Sequence, residues 1–380
     1  MKTRNKLGLG TLVALMAASR GGRVRTYSIG FDERDFNEAP DARLVAHALG
    51  TEHHELIVRP DADALVEEVV RSFDEPFADS SALPTYLVAQ LAREDVTVAL
   101  SGDGGDELFG GYTRYARGAA LRELHAPARH LLKGIARRLP MAAPGRNRLL
   151  DLSRTRRGRY AASVALPLSP ADGGVARAGT AALLPELDTL LSAQFDEARQ
   201  RDFPSQMMAV DIATYLPGDI LTKVDRTSMA VSLETRVPLL DHQLAEFVLS
   251  LPSALKLRGN VGKYLFRRAV ADLLPGMVLR KPKQGFALPL ARWFRRELRH
   301  RVDGLAGGDR RIFEFVDRAA VLGLAGEHRV GRRDHSHALW RLLVLEAWFD
   351  ELASGRLARS LQPARATAAV VNRVVSCSRA

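Results

Sequence analysis

The first hundred residues alternate between strand-like and helix-like patterns of apolar positions. RVRTYSIGF (23–31) and HHELIV (53–58) are rich in β-branched and aromatic residues, and VTVAL (96–100) is a short continuous apolar run. The segments between them have helical spacing; one of them follows a candidate N-cap at Asn37 and ends at Gly50. Strands that alternate with helices predict a parallel sheet that is covered on both faces.

Helical spacing dominates from about residue 121 to about residue 360, without a further strand signal or an internal repeat. Asp241, for example, is a candidate N-cap with Leu244, Phe247 and Val248 at helical spacing behind it. Residues 361–380 mix Ala, Val, Ser and Arg without a pattern. We therefore expect an α/β layer over 1–120, a mainly helical layer over 121–360 and a disordered tail over 361–380.

The opening segment MKTRNKLGLGTLVALMAASRGG allows two interpretations. Lys2, Arg4 and Lys6 precede an apolar run and then small residues, which is the layout of a secretory signal peptide. The same run is also compatible with a helix that follows a damaged nucleotide-binding loop. The run is shorter than the ~20 apolar residues that cross a bilayer, and the sequence contains no longer one, so no membrane span is predicted.

Composition narrows the choice of compartment and partner. The 380 residues are 46% hydrophobic, which is enough for a sizeable core, and Cys377 is the single cysteine, so an intrachain disulfide is excluded. This favours a reducing, cytoplasmic location. The formal charge is +11, but only 8 of the 55 basic residues are Lys, and the Arg residues are scattered with few aromatic neighbours. Nucleic acid is therefore not the expected partner.

A glycine-rich acidic segment, SGDGGDELFGGYTRY (101–115), follows directly after VTVAL. Glycines let backbone N–H groups approach a phosphate closely, and ligands lie at the carboxyl ends of parallel strands. Asp103, Asp106 and Glu107 would repel a polyphosphate unless a cation lies between them, and Mg²⁺ binds one or two carboxylates together with phosphate oxygens. The segment predicts a Mg²⁺-nucleotide site; the alternative is a glycine turn followed by an acidic first helical turn.

This segment also belongs to a series of blocks in a fixed order. The other blocks are RTYSIGF, GTEHHE, DEPFADSSALPTY, LPGDILTKVDRTSMAVSLETRVPLLDH, GKYLFRRA and KQGFALPLARWF. From about residue 11 to about residue 355 the chain resembles the C-terminal synthetase domain of glutamine-hydrolysing asparagine synthetases. The resemblance implies one ligase domain over 1–360 with an adenine nucleotide alpha-hydrolase-like fold, that of a PP-loop ATPase.

The resemblance implies the reaction and its reactants. In that family the side-chain carboxylate of aspartate attacks the α-phosphate of ATP, giving β-aspartyl-AMP and pyrophosphate. Ammonia, supplied by a glutaminase, then displaces AMP and gives asparagine. ATP and Mg²⁺ are therefore the expected cofactors, aspartate and ammonia the expected substrates, and a homodimer is compatible with the family.

The resemblance also assigns residues to the nucleotide. Ile29 would line the ATP site with its backbone, and Ser101 and Gly102 would contact the nucleotide beside it. Asp106 would hold Mg²⁺ on the pyrophosphate. These four positions are the expected cofactor and metal ligands.

A second group is assigned to the chemistry and to the substrate. Asp103 would accept a proton from attacking ammonia, and Lys263 would stabilise charge on the departing pyrophosphate. Arg236 is the candidate for binding the aspartate carboxylates, whereas Asp225 and Arg226 are expected to form buried ion pairs that orient the wall of the site. His53 and His54 lack a third ligand at metal-binding spacing, so packing at the start of a strand is expected for them.

The chain departs from the family in two places. The glutaminase domain with its N-terminal Cys is absent from the sequence. The family's pyrophosphate loop, SGGxDSS, corresponds by position to RNKLGLG (4–10), so Gly8 stands where the family has Asp, and the strand ahead of the loop is absent too. Catalysis by the chain as written is therefore in doubt. Three explanations remain open: a garbled or misplaced start of a longer gene, a degenerate non-catalytic paralogue, or a specialised amide-forming cyclase.

Overall fold

The computed structural model describes residues 6–19, 24–31, 37, 39–58, 62–140, 143–165, 174–177, 179–180, 187–280, 288–308 and 310–355. The helices before residue 200 are α1 Lys6–Ser19, α2 Ala39–Ala48, α3 Ala62–Arg71, α4 Ala82–Arg93, α5 Gly105–Phe109, α6 Thr113–Ala120, α7 Ala126–Arg138, α8 Arg146–Leu152, α9 Arg156–Val164 and α10 Leu187–Glu197. Those after residue 200 are α11 Phe203–Val210, α12 Thr222–Met229, α13 His242–Ser250, α14 Ser253–Lys256, α15 Tyr264–Ala269, α16 Gly276–Arg280, α17 Leu290–Trp293, α18 Arg299–Ala306, α19 Arg318–Arg329 and α20 Ser336–Ala353. The predicted tail, 361–380, and Cys377 lie outside the described residues.

Three of the four described strands lie where the apolar pattern predicts them. These are β1 Arg25–Phe31, β2 Glu52–Val58 and β3 Val98–Leu100. The fourth, β4 Glu234–Arg236, contradicts the prediction that strands end at about residue 121. This three-residue strand pairs in parallel with β3. Its sequence, Glu-Thr-Arg, has no apolar pattern that would predict a strand, so the pairing with β3 accounts for its extended backbone.

The strands form two separate parallel pairs instead of one sheet. β1 pairs with β2, and β3 pairs with β4. The prediction of one sheet covered on both faces is therefore wrong for β3, where Thr97 and Val98 are exposed. The described part of the chain is a mixed α/β structure, mostly helical, with two small parallel sheets.

One hydrophobic core joins the early strands to the late helices. Ile29 and Phe31 of β1 pack in the same cluster as Leu83 of α4 and Trp340 of α20. β1 belongs to the α/β layer, and α20, about three hundred residues later, belongs to the helical layer. The two layers therefore share this core. A second cluster contains Leu7 of α1 together with Leu108 and Phe109 of α5.

A continuous helix in the second half changes its winding. Between α11 and α12 the backbone is π-helical over Asp211–Leu221, a segment that contains Pro217. Proline has no N–H to donate and its ring crowds the preceding turn, so the α-helical hydrogen-bond pattern cannot continue through this position. Wider turns of this kind are frequent at functional sites.

Among the described residues, no helix is both long enough and apolar enough to cross a membrane.

Candidate active site

The acidic loop follows β3 and leads into two short helices. Ser101 ends the extended backbone, and α5 then contains Asp106 and Glu107, both buried. Gly110 ends α5 with φ at +71°, a left-handed conformation that glycine adopts without a steric penalty. The turn sends the chain into α6 and leaves the carboxylates of α5 facing the interior.

Asp106 forms a buried ion pair with Lys263. Their Oδ1 and Nζ atoms are 3.0 Å apart. The loop that carries Lys263 is attached to the end of α5, because the backbone N–H of Lys263 donates to the carbonyl of Phe109 at 3.0 Å. Burial lowers the pKa of the Lys263 amine, and Asp106 opposes that effect. The structure thus brings together two of the residues that the resemblance assigns to phosphate chemistry.

Gly111 makes this pairing sterically feasible. A Cβ atom at position 111 would lie 1.9 Å from Asp106 Oδ1 and 2.3 Å from Lys263 Cε. Any side chain at this position would therefore separate the ion pair. The glycine-rich composition of the loop here serves the close packing of its own charged groups.

Glu107, the next residue of α5, is held by Tyr112. Tyr112 Oη donates to Glu107 Oε1 at 2.6 Å. Burial raises the pKa of the Glu107 carboxyl to about 7, and the neighbouring charge of Asp106 adds to the effect. The site therefore contains one carboxyl paired with a cation and one hydrogen-bonded to a phenol.

A fully buried carboxylate behind the loop anchors α6. Asp211, the first residue of the π-helical segment, accepts hydrogen bonds from Arg114 Nη2 at 2.6 Å and from Tyr160 Oη at 2.6 Å, and also from Tyr115 Oη. The guanidinium of Arg114 lies over the ring of Tyr112, 3.8 Å from its centroid. The acidic loop is thereby tied to the helical layer through buried polar contacts.

Asp103 and Ser101 form a separate, partly exposed group. Ser101 Oγ donates to Asp103 Oδ2, and the Asp103 N–H donates to Ser101 Oγ at 3.2 Å. The Ser101 N–H donates to the carbonyl of Arg236 at 2.9 Å, which continues the β3–β4 pairing. Asp103 thus lies at the end of β3 with its carboxylate next to the hydroxyl of Ser101, and Gly102 between them is buried.

The remaining predicted ligands are more dispersed. The carbonyl of Arg236 contacts the loop, whereas its side chain is 64% exposed and its Nε donates to Glu234 at 2.7 Å. Ile29 is buried on β1, in the other sheet.

The predicted buried ion pairs of Asp225 and Arg226 are wrong. Both residues are exposed on α12, and Arg226 pairs with Asp74 near the surface. Helical periodicity explains the difference, since these two positions face away from the core that the neighbouring Lys223 enters. Lys223 Nζ forms the buried pair instead, 3.0 Å from Asp79 Oδ2 and 2.9 Å from Ser81 Oγ.

The histidines of β2 are held by hydrogen bonds and ion pairs. The two ring nitrogens of His53 contact the hydroxyls of Thr26 at 2.9 Å and Ser28 at 3.0 Å. His54 Nε2 lies 3.1 Å from Glu52 Oε1. The ring of His53 therefore joins β2 to β1, and that of His54 pairs with a neighbour on its own strand.

Sequence reasoning assigned no role to several buried polar groups. Asp79 and Lys223 lie in sequence blocks that carry the resemblance to the family, and this position could have marked them as candidate site residues. Asp211 gave a weaker signal, as a single carboxylate in the apolar run FPSQMMAVDIATYL. Within the part of the chain that the structure describes, no group of three or more His, Cys, Asp or Glu side chains is placed so that it could hold a metal ion by itself.

Comparison with known proteins gives the family. The family model for asparagine synthase matches residues 10–350. A Mycobacterium tuberculosis H37Rv protein, whose name assigns it provisionally as a glutamine-hydrolyzing asparagine synthetase, is 35% identical over 353 residues, covering 89% of this chain and 52% of that protein. The glutamine-hydrolyzing asparagine synthetase 1 of Bacillus subtilis is 31% identical over 331 residues, covering 86% of this chain and 52% of its own.

A vertebrate relative matches less of the chain. The glutamine-hydrolyzing asparagine synthetase of Gallus gallus is 26% identical over 275 residues, covering 70% of this chain and 34% of its own. The chain thus spans about half the length of the bacterial relatives, or less for the vertebrate one.

Proposed function

The chain belongs to the asparagine synthase family, and on that premise we propose that its acidic loop binds ATP for the activation of a carboxylate and the formation of an amide. Aspartate is the proposed acid and ammonia the proposed amine, as the names of the relatives suggest. The proposed products are asparagine, AMP and pyrophosphate.

One observation carries this proposal: the buried ion pair between Asp106 and Lys263. A buried amine loses much of its hydration, so it is prepared to interact strongly with a second anion. Phosphate oxygens are such anions. We assign Lys263 to stabilising the negative charge that develops on the departing pyrophosphate.

The donor set fits Mg²⁺ bound jointly by protein and nucleotide. Mg²⁺ retains several waters and commonly takes only one or two protein carboxylates together with phosphate oxygens, so a preformed three-carboxylate cluster is not required. Asp106 would hold the ion, and Glu107 lies next to it in sequence. When bound, the ion neutralises charge on the phosphates and so favours their departure.

Asp103 and Arg236 are assigned to the substrates. The carboxylate of Asp103 is partly exposed, which leaves it accessible as the base that removes a proton from ammonia after attack. Arg236 would bind a substrate carboxylate by exchanging its present partner, Glu234, for the ligand. For the nucleotide we assign the backbone of Ile29, together with Ser101 and Gly102.

A specific observation also favours a second candidate, a nucleotide-binding protein without catalysis. Residues 6–10, which correspond by position to part of the family's pyrophosphate loop, are helical at the start of α1. Gly8 lies inside this helix, where the family has a carboxylate. Loss of one preorganised group in such a site typically lowers the rate by ~10²–10³-fold.

The two candidates are separated by measuring pyrophosphate release and ATP binding in parallel. The protein is incubated with aspartate, ammonia and Mg-ATP, and ATP affinity is measured by calorimetry. Release above background supports the ligase. ATP binding without release supports the binding protein, and absence of both contradicts the nucleotide site itself.

Substitutions test whether Lys263 accounts for pyrophosphate release or for ATP binding. Lys263→Met should lower pyrophosphate release by about 10²-fold or more, because the leaving group then loses the stabilising charge of the amine. Lys133→Met is the matched control, since Lys133 is exposed on α7, outside the loop. In the binding protein, Lys263→Met should instead weaken ATP binding, and Lys133→Met should leave it unchanged.

A further inference from the structure

A cleft opens between the first turn of α9, α10 and the start of α11. Its volume is about 750 Å³, within the range of cavities that hold small-molecule ligands. Three arginines line it, Arg156, Arg157 and Arg201, and among the described residues Glu123 is the one acidic side chain in the lining. None of the described lining residues belongs to the acidic loop. The cleft is therefore a net positive cavity outside the candidate active site.

Glu123 compensates the three arginines only in part. Its Oε1 lies 2.8 Å from Arg129 Nη1, and its Oε2 accepts from the backbone N–H of Arg156 at 2.9 Å. Arg129 is not among the lining residues, so the charge of Glu123 is shared with a cation outside the cleft. A concave surface that collects charge of one sign attracts ligands of the opposite sign.

Arg156 has an oriented guanidinium with a donor left over. Its Nη2 donates to the carbonyl of Gly118 in α6 at 2.9 Å, and the guanidinium lies over the ring of Phe203, 4.0 Å from its centroid. Its Nε is buried and has no hydrogen-bond partner in the described part of the chain. Buried polar groups are nearly always hydrogen-bonded in folded proteins. An oxygen atom of a ligand would satisfy this N–H.

The surroundings of Arg156 disfavour its charge. Burial lowers the pKa of the Arg156 guanidinium, the positive charge of Arg159 lowers it further, and Glu123 opposes both effects. Arginine nevertheless stays protonated in proteins. A bound anion would therefore relieve both the lost hydration and the repulsion between the two cations.

Arg157 and Arg201 are also anchored in a way that leaves donors for a ligand. Arg157 Nη2 donates to Asp196 Oδ1 at 2.7 Å, and Arg201 Nη1 donates to the carbonyl of Leu249 at 2.9 Å. A guanidinium carries several N–H groups in a rigid fork, so an anchor at one nitrogen orients the group without using all of its donors. The cleft thus presents three oriented guanidinium groups from two separate segments of the chain.

These donors fit a compact anion that carries two negative charges. The fork of a guanidinium matches the spacing of phosphate oxygens, and charge-assisted hydrogen bonds of this kind are about twice as strong as neutral ones. Thr189 and Ser192 also line the cleft and place hydroxyl groups near the arginines. A single carboxylate would bring only one negative charge to three cations. The volume also leaves room for a small organic group attached to a phosphate.

We propose that the cleft lined by Arg156, Arg157 and Arg201 is a second ligand site, which binds the phosphate group of a small molecule. Inorganic phosphate and a small phosphate ester present the same chemistry to these residues. This inference concerns a part of the molecule outside the acidic loop and does not depend on the proposed reaction.

The test measures binding to the full chain by calorimetry at constant ionic strength, without nucleotide or Mg²⁺. Inorganic phosphate and phenyl phosphate are titrated separately, and succinate is the comparison dianion without a phosphate group. Arg156→Gln removes the donor that lacks a partner, and Arg201→Gln removes an exposed lining charge, so the second variant is expected to fold normally. Arg148→Gln is the matched control, since Arg148 is exposed on α8 and does not line the cleft.

We expect saturable binding of phosphate and weaker binding of succinate. Arg156→Gln and Arg201→Gln should each weaken phosphate binding about tenfold or more, because each removes a charge-assisted contact. Arg148→Gln should bind phosphate as the original chain does. Tighter binding of phenyl phosphate than of inorganic phosphate would assign the cleft to an ester, and the reverse order would assign it to the free ion.

Three outcomes would overturn the proposal: no saturable binding of phosphate, equal weakening by Arg148→Gln and Arg201→Gln, or succinate bound as tightly as phosphate. Lys263→Met distinguishes the cleft from the acidic loop. Loss of phosphate binding in Lys263→Met, with binding retained in both cleft variants, would place the ion at the acidic loop and also overturn the proposal. Pyrophosphate release is not measured, so failure of the proposed function leaves this result untouched, and failure here leaves the proposed function untouched.

Discussion

Gly111 shows how the absence of one side chain determines the charge arrangement of the candidate site. Asp106 and Lys263 meet beside the turn after α5, at a place where a Cβ on residue 111 would overlap both side chains. The sequence displays this glycine in a phosphate-loop-like pattern, yet its function in the structure is steric.

Gly111→Ala should therefore destabilise the protein. The added methyl group forces Asp106 and Lys263 apart, and overpacking of this kind costs about 1–3 kcal/mol. Urea denaturation measures the change. Gly134→Ala is the control, since Gly134 lies within α7 with no neighbouring atom within 4 Å of the added Cβ, and it should stabilise by about 0.5–1 kcal/mol. Equal effects of the two substitutions would contradict the steric account.

Lys256 provides a pH-dependent test away from the site. Burial lowers the pKa of its amine to about 8, and the positive charge of Arg201 adds to the effect. The folded pKa thus lies below the unfolded value of 10.5. Folding is therefore penalised by the charged amine at pH values below about 8, and the penalty disappears as pH rises from about 8 to 10.5.

Lys256→Met should consequently stabilise the protein at pH 7 by about 1–2 kcal/mol, a figure discounted for partial solvent screening. The gain should shrink when urea denaturation is repeated at pH 9.5. Lys133→Met, at an exposed position, should show no such change with pH. A gain from Lys256→Met that is the same at both pH values would show that packing, and not charge, explains the effect.

At the scale of elements, the sequence predicts helix starts well where a side chain makes the first hydrogen bonds. Asp241 Oδ1 accepts from the N–H groups of Gln243 at 3.1 Å and Leu244 at 3.2 Å, which confirms the predicted N-cap of α13. Asn37 likewise accepts from the N–H of Ala39 at 3.0 Å, at the start of α2. Such caps depend on neighbours two or three residues away, so a local pattern is sufficient to find them.

Asp241→Ala should cost about 1 kcal/mol of stability, because two N–H groups of α13 lose their acceptor. Asp241→Ser keeps an acceptor oxygen and should recover most of the loss. Guanidinium denaturation of the three proteins measures the difference. If Asp241→Ser is as unstable as Asp241→Ala, the cap is not what Asp241 contributes.

Elements that depend on distant partners were predicted less well. β4 is extended because Glu234 and Arg236 pair with β3, more than a hundred residues earlier, and no local pattern reports that pairing. Conversely, VTVAL has the composition of a buried strand, but Val98 lies at an edge that no strand of the described chain covers. The candidate site divides similarly: the resemblance to the family pointed to Asp106 and Lys263, which the structure brings together, whereas only the fold identifies Asp211 as the buried anchor of the loop.

At the scale of the whole molecule, we propose that the α/β layer of 1–120 and the helical layer of 121–360 constitute one domain. The shared core supports this proposal, since Phe31 of β1 and Trp340 of α20 belong to the same cluster. The buried contacts of Asp211 with Arg114 and Tyr160 add a polar connection between the first and second layers. Two layers joined in this way should unfold together.

The three tryptophans allow a direct measurement of this cooperativity. Trp293, Trp340 and Trp348 all lie in the second layer, so their fluorescence reports unfolding there, whereas far-ultraviolet circular dichroism reports helices of both layers. We expect coincident urea transitions by the two probes. Phe31→Ala, a change in the first layer, should shift both by about 3–5 kcal/mol, the usual cost of removing a buried aromatic ring. A shift seen by circular dichroism alone, with the fluorescence transition unmoved, would instead show that the strands unfold separately, because Phe31 would then contribute nothing to the stability of the helices around Trp340.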